Sequence, residues 1–355
     1  MTITRLEGDN FRALARVRIE PQARLNLFVG PNAAGKTSVL EMVYLLGRGR
    51  SFRSASSADL AGEQGRHWGV RARFAATDAY AAESVRLRWQ PGQSELRTDS
   101  DLRLAEIAAR YPIQVVEPGQ HRLLEDGPVY RRRFLDWGVF HVEHRFLGEW
   151  RAYQRALKQR NRALKSGDHR SARTFEPELV RHGLRVDAYR RDYLDKLRGV
   201  LADPMQALLG TGDWQLDLHA GWKRGVEFAE LLEQQRPRDQ RQGQTLEGPH
   251  RAELKLRLAG ALIRNRVSRG QQKMLVSALV LAQCRLVHAE TSRWPILLID
   301  DFGAELGADF RAAWAEAIHA YPGQVWVSSL DADPVISPAE HGAMFHVEHG
   351  ELRPA

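Results

Sequence analysis

The stretch GPNAAGKTSVLE, Gly30 to Glu41, places two glycines, a lysine and a threonine at the spacing G-x-x-x-x-G-K-T. The apolar run RLNLFVG precedes it and the helix-period run KTSVLEMVYLLG follows, which is the strand, loop and helix context that such a motif needs. The chemistry expected of Gly30, Pro31, Asn32, Ala33, Ala34, Gly35, Lys36, Thr37 and Ser38 is phosphate binding. Glycines let successive backbone N–H groups turn inward as an anion nest, and the helix N-terminus adds partial positive charge. Lys36 is expected to reach the β- and γ-phosphates of ATP, and the Thr37 hydroxyl to ligate Mg²⁺.

A metal at such a loop needs a carboxylate, and WPILLIDD supplies one: four apolar strand residues followed by Asp300 and Asp301. Asp300 is expected to hold Mg²⁺ through water, and Asp301 to orient or deprotonate the attacking water. A third stretch, VSRGQQKMLVSALVLAQ (Val267 to Gln283), sets a serine, a glycine and two glutamines before a strongly apolar helix. Ser268 reads as the cap of that helix, with Gly270 and Gln271 leaving N–H groups pointing outward, a second anion site. One chain with one P-loop does not need its γ-phosphate bound twice. The expected arrangement is a homodimer in which Ser268 of one subunit closes over ATP held by the other. Lys36, Asp300, Asp301 and Ser268 are then the catalytic set.

These residues must be positioned by elements from both ends of the chain. Ile3 to Pro21 reads as short alternating strands, and Val70 to Trp89 as an antiparallel hairpin. YPIQVVEP, WPILLIDD and GQVWVSSL read as short buried strands of the parallel-sheet kind. Between them, residues 136–165 and the run Tyr189 to Leu201 show helical spacing, each helix about 30 residues or fewer and roughly 45 Å at most. They form an expected hairpin across a polar turn, KSGDHRSARTFEPE, while EQQRPRDQRQGQ (Glu233 to Gln244) reads as a mobile loop. The expected fold is α/β: a P-loop lobe from residues 1–113 and 246–355, split by a mainly helical second lobe at 114–245.

The bulk numbers agree. The 355 residues carry a net charge of +8, which favours polyanionic partners. Only 7 of the 52 basic residues are lysine, so a bias toward arginine contributes to that charge. The single cysteine, Cys284, excludes a disulfide framework within the chain. The N-terminus has no apolar signal-like core and no run reaches membrane-span length, so the expected place is the cytoplasm and no membrane partner is expected. Arg131 and Arg132 in YRRRF, with Arg145, Arg151, Arg155, Lys158, Arg160, Arg162 and Lys165, put a cluster of cations on the insertion. Such clusters meet phosphates without reading bases. Arg131, Arg132, Arg151, Arg155 and Lys158 are the candidate DNA contacts, although Arg131 to Arg133 fit a bracing role equally. His250 in GPHR reads as structural or subunit-contacting, because no second histidine lies at ligand spacing.

The order P-loop, S-x-G-Q, then apolar strand and DD resembles the ABC-type ATPases, including their SMC-like DNA-repair branch. Within that branch NFR, GPNAAGKTSVLE, GRSFR, GPVYRRRFLDW, LKQRNRALK, GPHRAEL, SRGQQK and LLIDDFGAEL resemble the RecF family of DNA replication and repair proteins over nearly the whole chain. The resemblance implies an SMC-like ATPase lobe, a helical lobe with short arms, and dimerisation on ATP. It also implies binding of double-stranded or gapped DNA, and action with RecR and RecO to load RecA at single-strand gaps. Where the family's D-loop has Ser-Glu-Leu-Asp, this chain has Ala304, Glu305, Leu306 and Gly307. Ser329 stands at the position of the ABC switch histidine. The aspartate at 301, where most ABC enzymes have glutamate, and the missing histidine imply weak hydrolysis, and with the DNA-binding role that the resemblance implies, the expected activity is a weak DNA-stimulated ATPase. Gln114 is the expected Q-loop glutamine, with Glu117 and Gln120 as alternatives. An ABC transporter's ATPase subunit would share the P-loop and signature but not the arginine-rich insertion or GPHR. An SMC structural protein needs longer heptad arms, and a small-molecule kinase needs no SRGQQ.

Overall fold

The computed structural model describes every residue except Gln64, Thr211, Arg224, residues 264–266, Glu305, Ala339 and Glu340. The chain divides into two compact units, one comprising Met1–Gln120, Ala207–Gly210 and Arg269–Ala355, the other His121–Gln206 and Thr211–Ser268.

The first unit holds two sheets. One has five strands: β1 (Ile3–Phe11), β2 (Leu14–Ile19), β4 (Trp68–Phe74), β5 (Glu83–Gln90) and β6 (Gln93–Thr98), ordered β2-β1-β4-β5-β6 and antiparallel throughout. The other has six: β3 (Leu25–Val29), β7 (Ile113–Val116), β11 (Ile296–Ile299), β12 (Val325–Ser329), β13 (Ala343–Glu348) and β14 (Glu351–Pro354), ordered β14-β13-β3-β12-β11-β7. Every pair from β13 to β7 is parallel, and only β14 runs against its neighbour. Apolar runs such as LNLFV, ILLI and VWVSS are wholly buried, as parallel strands covered on both faces require. α1 (Lys36–Arg48), α2 (Leu104–Arg110), α9 (Arg269–Thr291) and α10 (Ala308–His319) complete the unit. α9 is apolar almost all round, and Met274 to Cys284 are buried without interruption.

In the five-stranded sheet, residues pointing away from the core form rows across the strands. Directly paired residues share a face, so the register Arg18–Glu7–Arg71–Arg86–Arg97 is one such row. Arg16–Asp9 and Arg88–Glu95 flank it on one side, Arg5–Arg73 on the other. At about 4.8 Å per strand, the central row spans roughly 19 Å.

The second unit contains α3 (Arg122–Glu125), α4 (Pro128–Val142), α5 (Phe146–Lys165), α6 (His169–Thr174), α7 (Glu176–Leu209) up to Gln206, and α8 (Phe228–Gln242). A small antiparallel sheet, β10-β9-β8, is made of β8 (Trp214–His219), β9 (Glu253–Leu258) and β10 (Ala261–Leu262). α5 and α7 form the expected antiparallel hairpin: Glu149 meets His182 and Arg185, while Arg160 meets Glu176 nearer the turn.

Four expectations need correction. The helical pattern at 136–165 is two helices, broken between Val142 and Phe146. α7 has 34 residues, about 51 Å, longer than expected because it starts at Glu176 inside the supposed polar turn. The supposed loop 233–244 is mostly helix α8, which carries Pro237 and ends at Gly243 with φ of 64°. Its polar residues bury by pairing: Asp239 accepts Arg160 Nη1 at 2.8 Å, and Arg236 lies 2.8 Å from Glu176. The division of the chain also differs. Residues 114–120 belong with the first unit because β7 pairs with β11, and 246–268 belong with the second because β9 pairs with β8.

Two arginines of the second unit are almost wholly buried, Arg160 and Arg190. Arg160 lies among Glu176, Asp239 and Thr245; Arg190 grips both oxygens of Asp136 and donates to the Pro249 carbonyl at 2.7 Å. His250 is a structural residue here. Its Nε2 lies 3.1 Å from the Thr245 carbonyl, which can only accept, so Nδ1 accepts from Tyr153 Oη at 2.6 Å. Burial holds that imidazole neutral, its pKa pushed down to about 4. Arg160→Leu strands Asp239 in the interior without its cation. It is expected to destabilise this unit by about 3–5 kcal/mol in calorimetry, whereas the exposed Arg151→Leu shifts stability by no more than about 0.5 kcal/mol.

Candidate nucleotide site

Because β3, β12, β11 and β7 run parallel, their C-terminal ends lie along one edge of the sheet, where open α/β sheets place ligands. Gly30 follows β3, Ser328 and Ser329 end β12, Asp300 and Asp301 follow β11, and residues 117–120 follow β7. Three segments far apart in sequence thereby bring Thr37, Asp300 and Ser328 into hydrogen-bond contact.

The loop from Gly30 to Gly35 has the backbone that its glycines permit. Gly30 has φ of 153°, Gly35 has φ of 115°, and Ala33 sits at 64°. A Cβ at Gly30 would fall 2.1 Å from the Val347 carbonyl oxygen, and one at Gly35 would fall 2.6 Å from a Leu14 methyl. Pro31, Asn32 and Ala33 are exposed, while Ala34, Lys36 and Ser38 are buried. α1 begins at Lys36 with no side-chain cap on its first N–H groups. Lys36 Nζ bends back on the loop and donates to the carbonyls of Gly30 at 2.6 Å and Pro31 at 2.8 Å. Burial lowers its pKa, opposed by the charges of Asp301, Asp300 and Asp331.

The Asp300 carboxylate is buried, and its Oδ1 accepts from Thr37 Oγ1 at 2.8 Å and Ser328 Oγ at 2.7 Å. Burial raises its pKa, and those two hydroxyls oppose the rise. Ser328 Oγ also accepts the Asp301 N–H at 2.8 Å. Thr37 and Asp300 thus offer adjacent hard oxygen donors beside a loop built for phosphate, a set that fits Mg²⁺ sharing its shell with phosphates and water. No cluster of three or more acidic, His or Cys side chains suited to a metal occurs among the described residues.

Several expected residues stand elsewhere. Gln114 is not at this edge. It lies within β7, nine-tenths buried, and its amide donates to Gln283 Oε1 of α9 at 2.7 Å. Its register partner is Leu297, three residues before Asp300, so the strand carries it below the site. Gln120 is better placed, past the end of β7. Its amide donates to the Val115 carbonyl, and its Oε1 is buried with no hydrogen-bond partner among the described residues. Ser329 is buried at the end of β12, opposite Val29. Ser268 is exposed one residue ahead of α9, whose first turn carries Gly270 and Gln271. In the altered D-loop, Ala304 and Gly307 are described, and Glu305 lies outside the described residues.

The basic candidates divide as well. Arg131 pairs with Glu253 and donates to the Leu123 and Asp126 carbonyls at 2.9 Å, and Arg132 donates to Ala252 at 2.8 Å. Both brace the second unit, as does buried Arg160. Arg151, Arg155 and Lys158 are exposed on α5.

Sequence reasoning overlooked three features. Ser328 was hidden because a strand-ending serine has no signature. Glu41, fully buried on α1, is held by Arg12 at 2.9 Å and by Ser51, which explains the NFR and GRSFR blocks. The arginine rows of the five-stranded sheet were legible as alternation in RVR, VRARF and VRLRW, and only strand pairing assembles them into one face. Gly30→Ala is expected to abolish nucleotide binding in a fluorescent-nucleotide titration while leaving circular dichroism unchanged, because the added methyl meets the Val347 carbonyl.

The chain matches the model of the RecF/RecN/SMC N terminal domain over residues 2–352. It is 36% identical over 356 aligned residues to the DNA replication and repair protein RecF of Vibrio atlanticus, covering 99% of each. It is 35% identical to the RecF of Shewanella baltica, again over 99% of each. Its fold is similar to that of a recombination mediator protein RecF bound to ATP, with a TM-score of 0.88 at 22% identity, covering 99% of this chain and 97% of that one. An Smc head domain bound to the C-winged helix domain of ScpA follows at a TM-score of 0.62 and 16% identity, covering 100% and 97%. With the sheet edge described above, these likenesses show that the chain belongs to the RecF family of DNA replication and repair proteins within the SMC-like ATPases.

Proposed function

We propose that this protein is an ATP-dependent DNA-binding protein of recombinational repair. ATP binds at Gly30 to Ser38, and the bound form is a homodimer in which Ser268, Gly270 and Gln271 of one subunit meet the nucleotide of the other. The dimer engages double-stranded or gapped DNA and works with RecR and RecO type mediators to load RecA at single-strand gaps. One observation carries the nucleotide part: parallel strands deliver Thr37, Asp300 and Asp301 to one edge beside the P-loop. The RecF neighbour's description as a recombination mediator of the RecFOR pathway, with ATP bound, supports the rest.

In this reading Lys36 leaves the Gly30 and Pro31 carbonyls to bind the β- and γ-phosphates, and the loop N–H groups take the remaining oxygens. Thr37 and Asp300 would hold Mg²⁺, which neutralises charge developing on the transferred phosphoryl group. Gln120, with its buried oxygen unpartnered among the described residues, replaces Gln114 as the proposed Q-loop residue. Asp301 orients the attacking water. Its short side chain and the serine at 329 fit a weak ATPase, and the DNA surface below is what would let DNA stimulate it.

For the DNA surface, the arginine rows of the five-stranded sheet add to Arg151, Arg155 and Lys158. Among the described residues, Arg16, Arg18, Arg73, Arg86 and Arg88 make no ion pair, whereas Arg5 and Arg97 pair with Glu7 and Glu95. Arg71 and Arg86 sit directly opposite each other, as do Arg86 and Arg97. Like charges so placed destabilise a sheet, and a phosphate backbone would relieve that repulsion. The rows give no base-reading geometry, so the binding is indifferent to sequence. The transporter reading offers no use for this face.

ATP turnover by the purified protein is expected to be slow, to rise with double-stranded DNA at low salt, and to vanish in Lys36→Ala. A rate unmoved by DNA would sink the DNA-gated reading. Arg71→Gln with Arg86→Gln is expected to weaken duplex binding and to flatten its logarithmic salt slope by about two units in a fluorescence-anisotropy titration. Ser268→Ala is expected to keep ATP binding but lose ATP-induced dimerisation in light scattering; normal dimerisation would rule out the contact in trans.

A further inference from the structure

Asp301 has φ of 60°, a left-handed conformation uncommon for a residue with a Cβ. Such a backbone persists where its surroundings over-determine it. Two side chains do so here, from opposite directions. On the strand side, Ser328 Oγ accepts the Asp301 N–H at 2.8 Å while donating to Asp300 Oδ1 at 2.7 Å. On the helix side, the Lys273 ammonium donates to the Asp301 carbonyl at 3.2 Å and to the Ala304 carbonyl at 2.9 Å. Both peptide groups of Asp301 are therefore held, one by β12 and the other by α9. The turn is closed by Ala304 N–H to the Asp301 carbonyl at 3.4 Å and by Phe302 N–H to the Ser328 carbonyl at 2.8 Å.

We propose that Lys273 is a positioning residue, which ties the first turns of α9 to the Asp301–Ala304 turn and so sets the direction of the Asp301 carboxylate. The proposal rests on the reading of Asp301 as the residue that orients water. Lys273 is the fifth residue of α9, on the same rigid helix as Gly270 and Gln271. A phosphate engaged at the start of α9 then acts on Asp301 through the Lys273 side chain. Lys273 holds carbonyl oxygens, which every residue type supplies, so the missing serine hydroxyl removes nothing from this tether.

The test uses the full-length protein with Lys273→Met, which keeps an unbranched stem and removes the donors, and Lys273→Arg, which restores donors. Amide hydrogen exchange without nucleotide is expected to quicken over 301–304 in Lys273→Met by about tenfold, the loss of a charge-assisted hydrogen bond. Exchange in the interior of α9 and the melting temperature should stay at the wild-type level. With ATP, kcat is expected to fall about tenfold while nucleotide affinity changes less than about twofold, since only the water-orienting group is misplaced. Lys273→Arg should recover part of both losses. Wild-type exchange over 301–304 in Lys273→Met would overturn the tether, whatever the turnover. Faster exchange with unchanged kcat would overturn the positioning role. If the wild-type protein itself failed to bind or hydrolyse ATP, the ATPase reading would fall, while the exchange measurement would still decide whether Lys273 holds the turn.

Discussion

The proposed nucleotide site depends on a buried carboxylate that needs donors. Asp300 sits at the end of an apolar strand, and burial raises the cost of its charge. Two hydroxyls meet that cost, Thr37 from the start of α1 and Ser328 from the end of β12. Each belongs to a different strand connection, so one oxygen of Asp300 sets the spacing of the P-loop, β11 and β12. Ser328 passes the constraint one residue on, because its oxygen also receives the Asp301 N–H. A serine-to-alanine change at 328 or a threonine-to-valine change at 37 would leave the carboxylate underdonated in a dry environment, and the strand ends would have to move to rehydrate it.

The second unit solves a similar problem with the charges reversed. Arg160 and Arg190 are buried cations, and each is surrounded by carboxylates and carbonyls drawn from several helices. Such networks contribute little net stability over an apolar core but penalise misregistered packing, because a displaced helix leaves a charge alone. The lysine-poor composition suits this use, since a guanidinium can satisfy several acceptors at once where an ammonium is a single point charge. The same composition produces the arginine rows of the five-stranded sheet, where, among the described residues, Arg5 and Arg97 have carboxylate partners and Arg16, Arg18, Arg73, Arg86 and Arg88 make no ion pair. A residue type therefore says little about its role until its neighbours are known: Arg131 and Arg132 stand in the YRRRF cluster yet brace the fold, while Arg71 and Arg86 stand in the Val70 to Trp89 hairpin and face outward.

Local patterns were legible where one segment sufficed. Strand and helix periods around the P-loop, the parallel-sheet character of ILLI and VWVSS, and the hairpin of α5 with α7 all follow from spacing within a single stretch. The misreadings share a cause. α8 looked like a loop because its polar residues are buried only by partners elsewhere, such as Arg160 on α5 for Asp239. Gln114 looked like a site residue because a glutamine near a strand end is a fair guess, but register sets it three positions short, where Gln283 takes its amide.

By itself, the sequence determined the phosphate-binding loop, the acid pair that ends an apolar strand, the serine-glycine-glutamine start of α9 and the family to which these blocks belong. Each is a short-range pattern, and the loop's backbone requirement, a positive φ at Gly30 and Gly35, is written in adjacent residues. Tertiary structure alone decided which oxygen shares Asp300, which lysine grips the turn after Asp301, which arginines are spent on bracing, and which form a face. Those outcomes turn on strand register and helix packing between separate segments, from 28 residues apart for Lys273 and Asp301 to 263 for Thr37 and Asp300. A shift of one residue there exchanges a buried side chain for an exposed one, and no local pattern records it.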